Sequence, residues 1–178
     1  IKLLKKILLT DFEFNIHDFP NIHKWFRDDI IIDLSKIRES IMKISDTNNR
    51  LFFWCMMSDI VRKYSNTRSS TYKLHIKKTE DILKMQNNLI HDYIDSININ
   101  YKKFTKHYTN FSLVKGDTLS CLNNIESNSF DICITSPPYG DNATTVTYGQ
   151  FSILPLYWIN PNDLQLEGWE LNNYSIID

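Results

Sequence analysis

The sequence predicts an α/β protein in which a mostly helical segment precedes part of a parallel β-sheet. Apolar residues recur at helical spacing between residues 21 and 105, a region that contains neither glycine nor proline. Residues 112–115 and 130–135 are short apolar runs, and the β-branched side chains of the second are typical of a strand buried on both faces. The two runs and the segment between them form a βαβ-like unit.

Helices are predicted for most of the chain up to residue 105. The first clear helix follows Pro20, and its apolar residues recur three and four positions apart. This inner face consists of Leu34, Ile37, Ile41 and Ile44. Residues 51–57 are apolar all round, which predicts a helix buried at the centre of the helical unit.

A further helix is predicted to begin at Thr79, whose hydroxyl can cap it. Glu80 and Asp81 then fall in the first turn, where the helix dipole favours acids. Its inner face is predicted to consist of Ile82, Met85, Leu89, Tyr93, Ile94 and Ile97.

The second predicted strand stops abruptly at a polar residue and two prolines. The residues that follow it are Ser136, Pro137, Pro138 and Tyr139. Each proline lacks an N–H group and fixes φ, so the backbone is stiff and cannot extend a ladder. The sequence therefore predicts a rigid loop at the carboxyl end of a strand, where open α/β sheets bind ligands. Residues 151–158 are predicted to form a helix interrupted near Pro155.

Charge is divided unevenly along the chain. Residues 1–115 contain all 20 Lys and Arg and 13 Asp and Glu, a formal charge of +7, whereas residues 116–178 carry −8. This asymmetry indicates a polyanionic partner for the basic half. Codon usage that favours Lys would explain the basic half, but not the absence of Lys and Arg from the other.

Composition argues against several other classes of protein. Cys55, Cys121 and Cys133 show neither CxxC nor Cys/His metal spacing, and their apolar neighbours are typical of reduced thiols in the core of a cytoplasmic protein. The sequence therefore predicts no metal site. No apolar run approaches the ~20 residues that span a bilayer, and no signal peptide is visible, so we expect no membrane association.

The run Ile134-Thr135-Ser136-Pro137-Pro138-Tyr139 resembles the catalytic motif of the amino-methylating DNA methyltransferases. The form with Ser before Pro-Pro is similar to the N4-cytosine enzymes, whereas Asp or Asn is more usual there in the N6-adenine enzymes. Gly116-Asp117 is similar to the acidic position after an earlier sheet strand in this family, and residues 144–158 resemble it as well.

The resemblance implies a Rossmann-like sheet that binds S-adenosylmethionine, with double-stranded DNA as the partner. A base amino group is a poor nucleophile because its lone pair is delocalised into the ring, so a site that methylates it should accept its hydrogen bonds. Ser136 Oγ and the Pro137 carbonyl are the acceptors in the motif, and Pro138 keeps the backbone stiff. Tyr139 would stack on a base that has left the duplex.

The resemblance also places Gly116, Asp117 and Thr135 in the cofactor pocket, where the Asp117 carboxylate would accept hydrogen bonds from the adenosine. The Gly-rich loop that holds the methionine part of the cofactor in this family is missing. We therefore expect a fragment of a longer enzyme from a restriction–modification system, inactive in isolation. A cognate restriction endonuclease would act beside it without a stable complex.

On this interpretation the chain has three parts. Residues 1–20 are a linker or the end of a preceding element, residues 21–107 are a helical insertion that contacts DNA, and residues 108–178 are a partial catalytic domain. Two alternatives stay open: the same enzyme type acting on adenine N6, and a non-catalytic nucleic-acid-binding module joined to a degenerate methylase remnant.

Residues 62–78 form the most basic stretch and contain no acid. Its cations are Arg62, Lys63, Arg68, Lys73, Lys77 and Lys78. The Ser, Thr and Asn side chains between them can also donate to phosphate oxygens. We predict that this stretch contacts the DNA backbone; the alternative is a solvated connection between two helices.

Overall fold

A computed structural model of the protein describes residues 1–68, 70, 73–104, 112, 114, 117–135 and 148–164. These ranges contain nine helices and no β-sheet, and an isolated antiparallel bridge pairs Thr67 with Ile76. The predicted α/β fold with a Rossmann-like sheet is therefore wrong, because the described structure is all-helical.

The helices are α1 (Lys2–Leu9), α2 (Ile22–Trp25), α3 (Asp28–Met42), α4 (Thr47–Tyr64), α5 (Thr79–Leu83), α6 (Leu89–Phe104), α7 (Thr118–Leu122), α8 (Tyr148–Trp158) and α9 (Pro161–Leu164). Among these, no helix is both long enough and apolar enough to cross a bilayer.

Helix α4 lies at the centre of the bundle and packs against α3, α6, α8 and α9. Helix α6 runs antiparallel to it. Asp92 near the start of α6 accepts from Lys63 near the end of α4 at 2.6 Å. Ser96, which lies further along α6, donates to the sulfur of Met56, which lies earlier in α4, at 3.7 Å. The core of the described structure therefore forms around one long helix.

The periodicity of α3 is confirmed, since Leu34, Ile37 and Ile41 are fully buried. A helix at residues 51–57 is confirmed as well, but it is not buried all round. Cys55 is exposed, and Leu51 is 37% exposed. These two positions lie on the side of α4 that the core does not cover.

The single helix predicted from Thr79 is wrong, because the chain breaks between α5 and α6. No side chain caps α5, and the residue before it is Lys78. The Arg27 guanidinium donates to the carbonyl of Ile82 at 3.0 Å and to that of Met85, which satisfies the end of α5. Asn87 Oδ1 then accepts from the Leu89 amide at 3.1 Å and caps the start of α6.

The strand predicted at residues 130–135 is wrong. These residues have no regular secondary structure, and the side chains of Phe130, Ile132 and Ile134 are 71%, 76% and 93% exposed. Their β-branched composition fits a strand, but a strand forms only where a neighbour takes up its backbone hydrogen bonds. Within the described ranges no such neighbour pairs with them.

Helix α8 is anchored in an aromatic cluster from the first 26 residues. Trp158 is fully buried, with Phe26 edge-on at a centroid distance of 5.6 Å and Phe19 edge-on at 5.8 Å. Phe19 also stacks on Tyr157 at 5.2 Å. Such pairs contribute roughly 0.5–1.5 kcal/mol each beyond their buried area. The helix continues through Pro155, so the predicted interruption there is wrong.

A buried carboxylate joins α9 to α4. Asp163 is 3% exposed and accepts from Arg50 Nε at 2.8 Å, from Arg50 Nη2 at 2.7 Å and from Trp54 Nε1 at 2.7 Å. The Arg50 hydrogen bonds, followed by that from Trp54, hold the pKa of Asp163 below its ordinary range. Arg50 also donates to the carbonyl of Ile44 at 2.7 Å, so one guanidinium joins three segments.

We predict that Asp163→Ala lowers the free energy of unfolding more than the loss of a surface carboxylate does, because it removes the charge partner of Arg50 and the hydrogen-bond acceptor of Trp54. Urea denaturation of the purified chain measures the change. The matched control is Asp59→Ala, which removes an exposed carboxylate from α4 and should stay within about 0.5 kcal/mol of the parent. Equal losses in the two variants would contradict the role of the buried pair.

The burial of His17 predicts that the stability of the fold depends on pH. Its Nε2 bonds the Tyr157 carbonyl at the end of α8 at 2.7 Å. Burial, the largest cause, lowers the pKa of His17 below its ordinary 6.5. The unfolded chain therefore takes up this proton at a higher pH than the folded chain does. Stability due to His17 is complete above pH 6.5 and falls as the pH drops from there towards the folded-state pKa.

The variant His17→Gln keeps an N–H donor for Tyr157 and removes the titration. The free energy of unfolding of the variant should therefore fall less steeply below pH 6.5 than that of the parent. Urea denaturation at a series of pH values on both sides of 6.5 measures the two slopes. Identical slopes would show that His17 does not set this dependence.

Candidate nucleic-acid interface

After the end of α4, the described residues of the basic stretch form two antiparallel arms, here called the basic hairpin (residues 65–68 and 73–78). Its two arms meet at the bridge between Thr67 and Ile76, where the Arg68 amide donates to the His75 carbonyl at 2.8 Å. The Asn66 amide donates to the Trp25 carbonyl at 2.7 Å, which fixes the base of the hairpin to α2. The backbone of the basic hairpin is thus held against the bundle.

Contacts within the protein hold Lys77, Lys63 and Arg62, which are among the predicted DNA-binding cations. Lys77 Nζ donates to the Ser65 carbonyl at 2.8 Å, and burial lowers the pKa of Lys77. Lys63 pairs with Asp92 at 2.6 Å, although its side chain is 60% exposed. Arg62 is half-buried, which lowers its pKa, and its guanidinium lies 3.5 Å from Thr67 Oγ1. These groups hold the hairpin in place as well as adding positive charge.

The other three cations, Arg68, Lys73 and Lys78, are exposed. They occupy both arms of the hairpin, and the exposed His75 lies between them in sequence. An array of exposed cations on a fixed backbone fits the regularly spaced phosphates of a nucleic acid. If the hairpin contacts DNA, these residues are better placed for it than Arg62 or Lys77.

The basic hairpin also contacts the helix that follows the Ser-Pro-Pro-Tyr run. The Leu74 amide donates to Gln150 Oε1 in the first turn of α8 at 3.3 Å. This contact was not predicted, because no local pattern links two residues 76 positions apart. It places the hairpin beside the first turn of α8, the helix that follows the predicted catalytic loop in sequence.

The four predicted catalytic residues, Ser136, Pro137, Pro138 and Tyr139, lie outside the described residues, as does Gly116 of the predicted cofactor pocket. Of the remaining pocket residues, Asp117 begins α7 and accepts from the Ser120 amide at 2.9 Å and the Ser120 hydroxyl at 3.0 Å. Thr135 is exposed.

Asp117 has the chemistry that a cofactor contact would need. The hydrogen bond from the Ser120 amide is the largest of the influences that lower the pKa of Asp117, so the group is ionised at neutral pH and can accept from hydroxyl or amino groups. Ile132 and Ile134, beside Thr135, face solvent. Asp117 is therefore an exposed, ionised cap of α7, and its contact with adenosine stays a prediction. Within them, no cluster of three or more His, Cys, Asp or Glu could hold a metal ion.

Comparison with known proteins supports the resemblance of the Ser-Pro-Pro-Tyr run. The chain is 31% identical over 156 residues to the type II methyltransferase M.MvaI of Kocuria varians, and the match covers 82% of this chain. It covers 34% of that protein, so the chain spans about a third of the length of the curated relative it matches. No family model and no solved structure matches the chain. By sequence, the chain is related to part of a type II DNA methyltransferase.

Proposed function

We propose that the chain is part of an enzyme that transfers a methyl group from S-adenosylmethionine to the exocyclic N4 of cytosine in double-stranded DNA. The observation that carries the proposal is Ser136 before Pro137-Pro138-Tyr139, in a chain related to a type II methyltransferase. The enzyme would serve a restriction–modification system in the cytoplasm, beside an endonuclease with which it forms no stable complex.

The proposed chemistry uses hydrogen-bond acceptors rather than a covalent intermediate. When a base amino group donates to Ser136 Oγ and to the Pro137 carbonyl, its nitrogen becomes more tetrahedral and more nucleophilic. S-adenosylmethionine, when bound, supplies the methyl group. A stiff diproline backbone would hold both acceptors in position before the base arrives, which is an entropic advantage. Tyr139 would stack on the base, and the Asp117 carboxylate would accept hydrogen bonds from the adenosine.

The position of α8 supports a DNA-binding role for the basic hairpin in the same enzyme. Helix α8 follows the proposed catalytic loop in sequence, and it is fixed to the core by Trp158 and to the hairpin by Gln150. Exposed cations of the hairpin therefore lie on a segment that contacts the first turn of α8. The proposed catalytic loop precedes α8 in sequence, so the same part of the chain would serve DNA binding and methyl transfer.

We predict that Ser136→Ala lowers the rate of methyl transfer by the full-length protein at least about 100-fold, comparable with the loss of one oriented hydrogen-bonding group elsewhere in catalysis. The assay uses labelled S-adenosylmethionine and double-stranded DNA, followed by nucleoside analysis. Ser112→Ala, which alters an exposed serine upstream, is the control and should retain activity.

The modified nucleoside tests the substrate. N4-methylcytosine supports the proposal, whereas N6-methyladenine would assign the enzyme to the adenine type. Unchanged methyl transfer by Ser136→Ala would remove the proposed role of the motif. DNA binding without methylation of either base, in the parent protein, would favour the non-catalytic alternative.

We predict that Arg68→Glu and Lys78→Glu each weaken binding of duplex DNA uniformly across sequences. Each should also reduce the slope of log K against log salt by about 0.9, since each cation is expected to neutralise one phosphate. Fluorescence anisotropy titrations at several salt concentrations measure both effects. Lys6→Glu, an equal charge change on the exposed face of α1, should leave the slope nearly unchanged. Equal effects from all three variants would point to net charge rather than to the hairpin.

A further inference from the structure

A cleft of about 1570 Å³ opens between α1, the first half of α4 and the last turns of α6. It lies on the side of α4 where Leu51 and Cys55 are exposed. Phe52 and Tyr101 also line it, and Tyr101 is 48% exposed. The cleft thus has an apolar and aromatic floor that solvent can reach.

The rim of this cleft is basic. Its lining includes Lys2, Lys5, Lys102 and Lys103. Four asparagine side chains add amide donors and acceptors, and the described lining residues include no Asp or Glu. Lys5 Nζ donates to Asn98 Oδ1, which joins α1 to α6 across the cleft. The site therefore attracts anions and can form hydrogen bonds with polar edges.

The size and the chemistry of the cleft together indicate what kind of molecule it binds. Small-molecule pockets typically enclose about 300–1,000 Å³, so a cleft of about 1570 Å³ fits an extended chain better than a compact ligand. An extended anion is either a nucleic acid or an acidic polypeptide. The aromatic and amide groups of the floor favour a nucleic acid, because the bases offer faces for stacking and edges for hydrogen bonds.

We propose that this cleft binds a single-stranded segment of nucleic acid, with its phosphates on the lysine rim and its bases on Tyr101 and Phe52. A single strand is favoured over a duplex because paired bases hide their faces within the stack, whereas unpaired bases expose them to aromatic side chains. The choice of a nucleic acid among polyanions also rests on the proposed function.

The cleft is separate from the basic hairpin. Its α4 residues begin at Asn48 and Asn49, whereas the hairpin follows Tyr64 at the other end of the helix. At a rise of 1.5 Å per residue, Asn48 is about 24 Å from Tyr64 along α4, and Met56, the last α4 residue of the cleft lining, is about 12 Å from Tyr64. Variants of one surface therefore leave the other intact, so that the two can be tested independently.

The first test is the double variant Lys2→Glu/Lys103→Glu, which reverses two exposed lysines of the rim. The probe is a labelled oligothymidylate of about 16 nucleotides, the upper end of the site size of one single-strand binding module. We expect affinity at low salt to fall at least tenfold. The slope of log K against log salt should decrease in magnitude by about 1.4, because each of the two lost phosphate contacts contributes about 0.7.

The matched control is Lys6→Glu/Lys84→Glu, which makes the same charge change at exposed lysines that do not line the cleft. It should bind the oligothymidylate nearly as the parent does. An equal loss of affinity in both double variants would overturn the proposal, as would unchanged affinity in the cleft variant. Thermal unfolding of each variant identifies any loss of affinity that is due to loss of the fold.

Tyr101→Ala tests the stacking separately from charge. Affinity for the oligothymidylate should fall by roughly tenfold, within the range for one base–aromatic stack, while the salt slope stays unchanged. An unchanged affinity would remove Tyr101 from the site. Tighter binding of polyglutamate than of the oligothymidylate by the parent chain would identify an acidic polypeptide as the occupant and overturn the proposal.

Cys55 provides a readout within the cleft itself. Its exposed thiol should be alkylated more slowly when the oligothymidylate is bound, as measured by mass spectrometry of the Cys55 peptide. Protection should persist in Lys6→Glu/Lys84→Glu and be lost in Lys2→Glu/Lys103→Glu. Equal alkylation of the parent chain with and without the oligonucleotide, at a concentration that saturates binding, would place the bound strand elsewhere.

These measurements do not depend on methyl transfer. Cleft variants that bind the oligothymidylate normally would overturn the cleft proposal and leave the proposed enzyme intact. A failure of Ser136→Ala to reduce methylation would remove the proposed role of the motif and leave the cleft result standing.

Discussion

The buried ion pair between Asp163 and Arg50 determines how the two ends of the described structure fit together. The carboxylate accepts from both Arg50 Nε and Arg50 Nη2 and from Trp54 Nε1, so its charge is matched at a residue that is 3% exposed. A buried charge that loses its partner is strongly destabilising, so this arrangement tolerates few alternatives. The short helix α9 has only four residues, and it is held to α4 by these bonds rather than by its own stability.

This constraint gives α8 a fixed position relative to the helical unit. One end of α8 leads into α9 and the ion pair, while Trp158 and Tyr157 pack against Phe19 and Phe26. The contact from the Leu74 amide to Gln150 lies near the other end. Helix α8, the next described segment after the Ser-Pro-Pro-Tyr run, is therefore held by contacts near both of its ends.

Local patterns in the sequence predicted the helices better than the contacts between them. The spacing of Leu34, Ile37 and Ile41 predicted α3, because helical periodicity depends on residues within a few positions of each other. The prediction of a strand at residues 130–135 was wrong, because a strand depends on a pairing partner elsewhere in the chain. The ion pair joins residues 113 positions apart, and a single sequence has no local signal for it. The residues of the predicted catalytic motif lie outside the described ranges, so their placement stays a prediction.

In the folded chain, only some of the basic residues remain available to a binding partner. Lys77 and Arg68 are equal candidates for DNA contacts by composition, yet Lys77 donates to the Ser65 carbonyl and Arg68 is exposed. Charge counted along a sequence therefore overstates the cations available to a partner, because some of them stabilise the fold. In the cleft the lysines lie around an aromatic floor, although Lys2 and Tyr101 are far apart in sequence. Two basic surfaces of the described residues thus lie on different parts of α4: the hairpin, which we propose binds duplex phosphates, follows its end, and the cleft, which we propose binds an unpaired strand, lies along its first half.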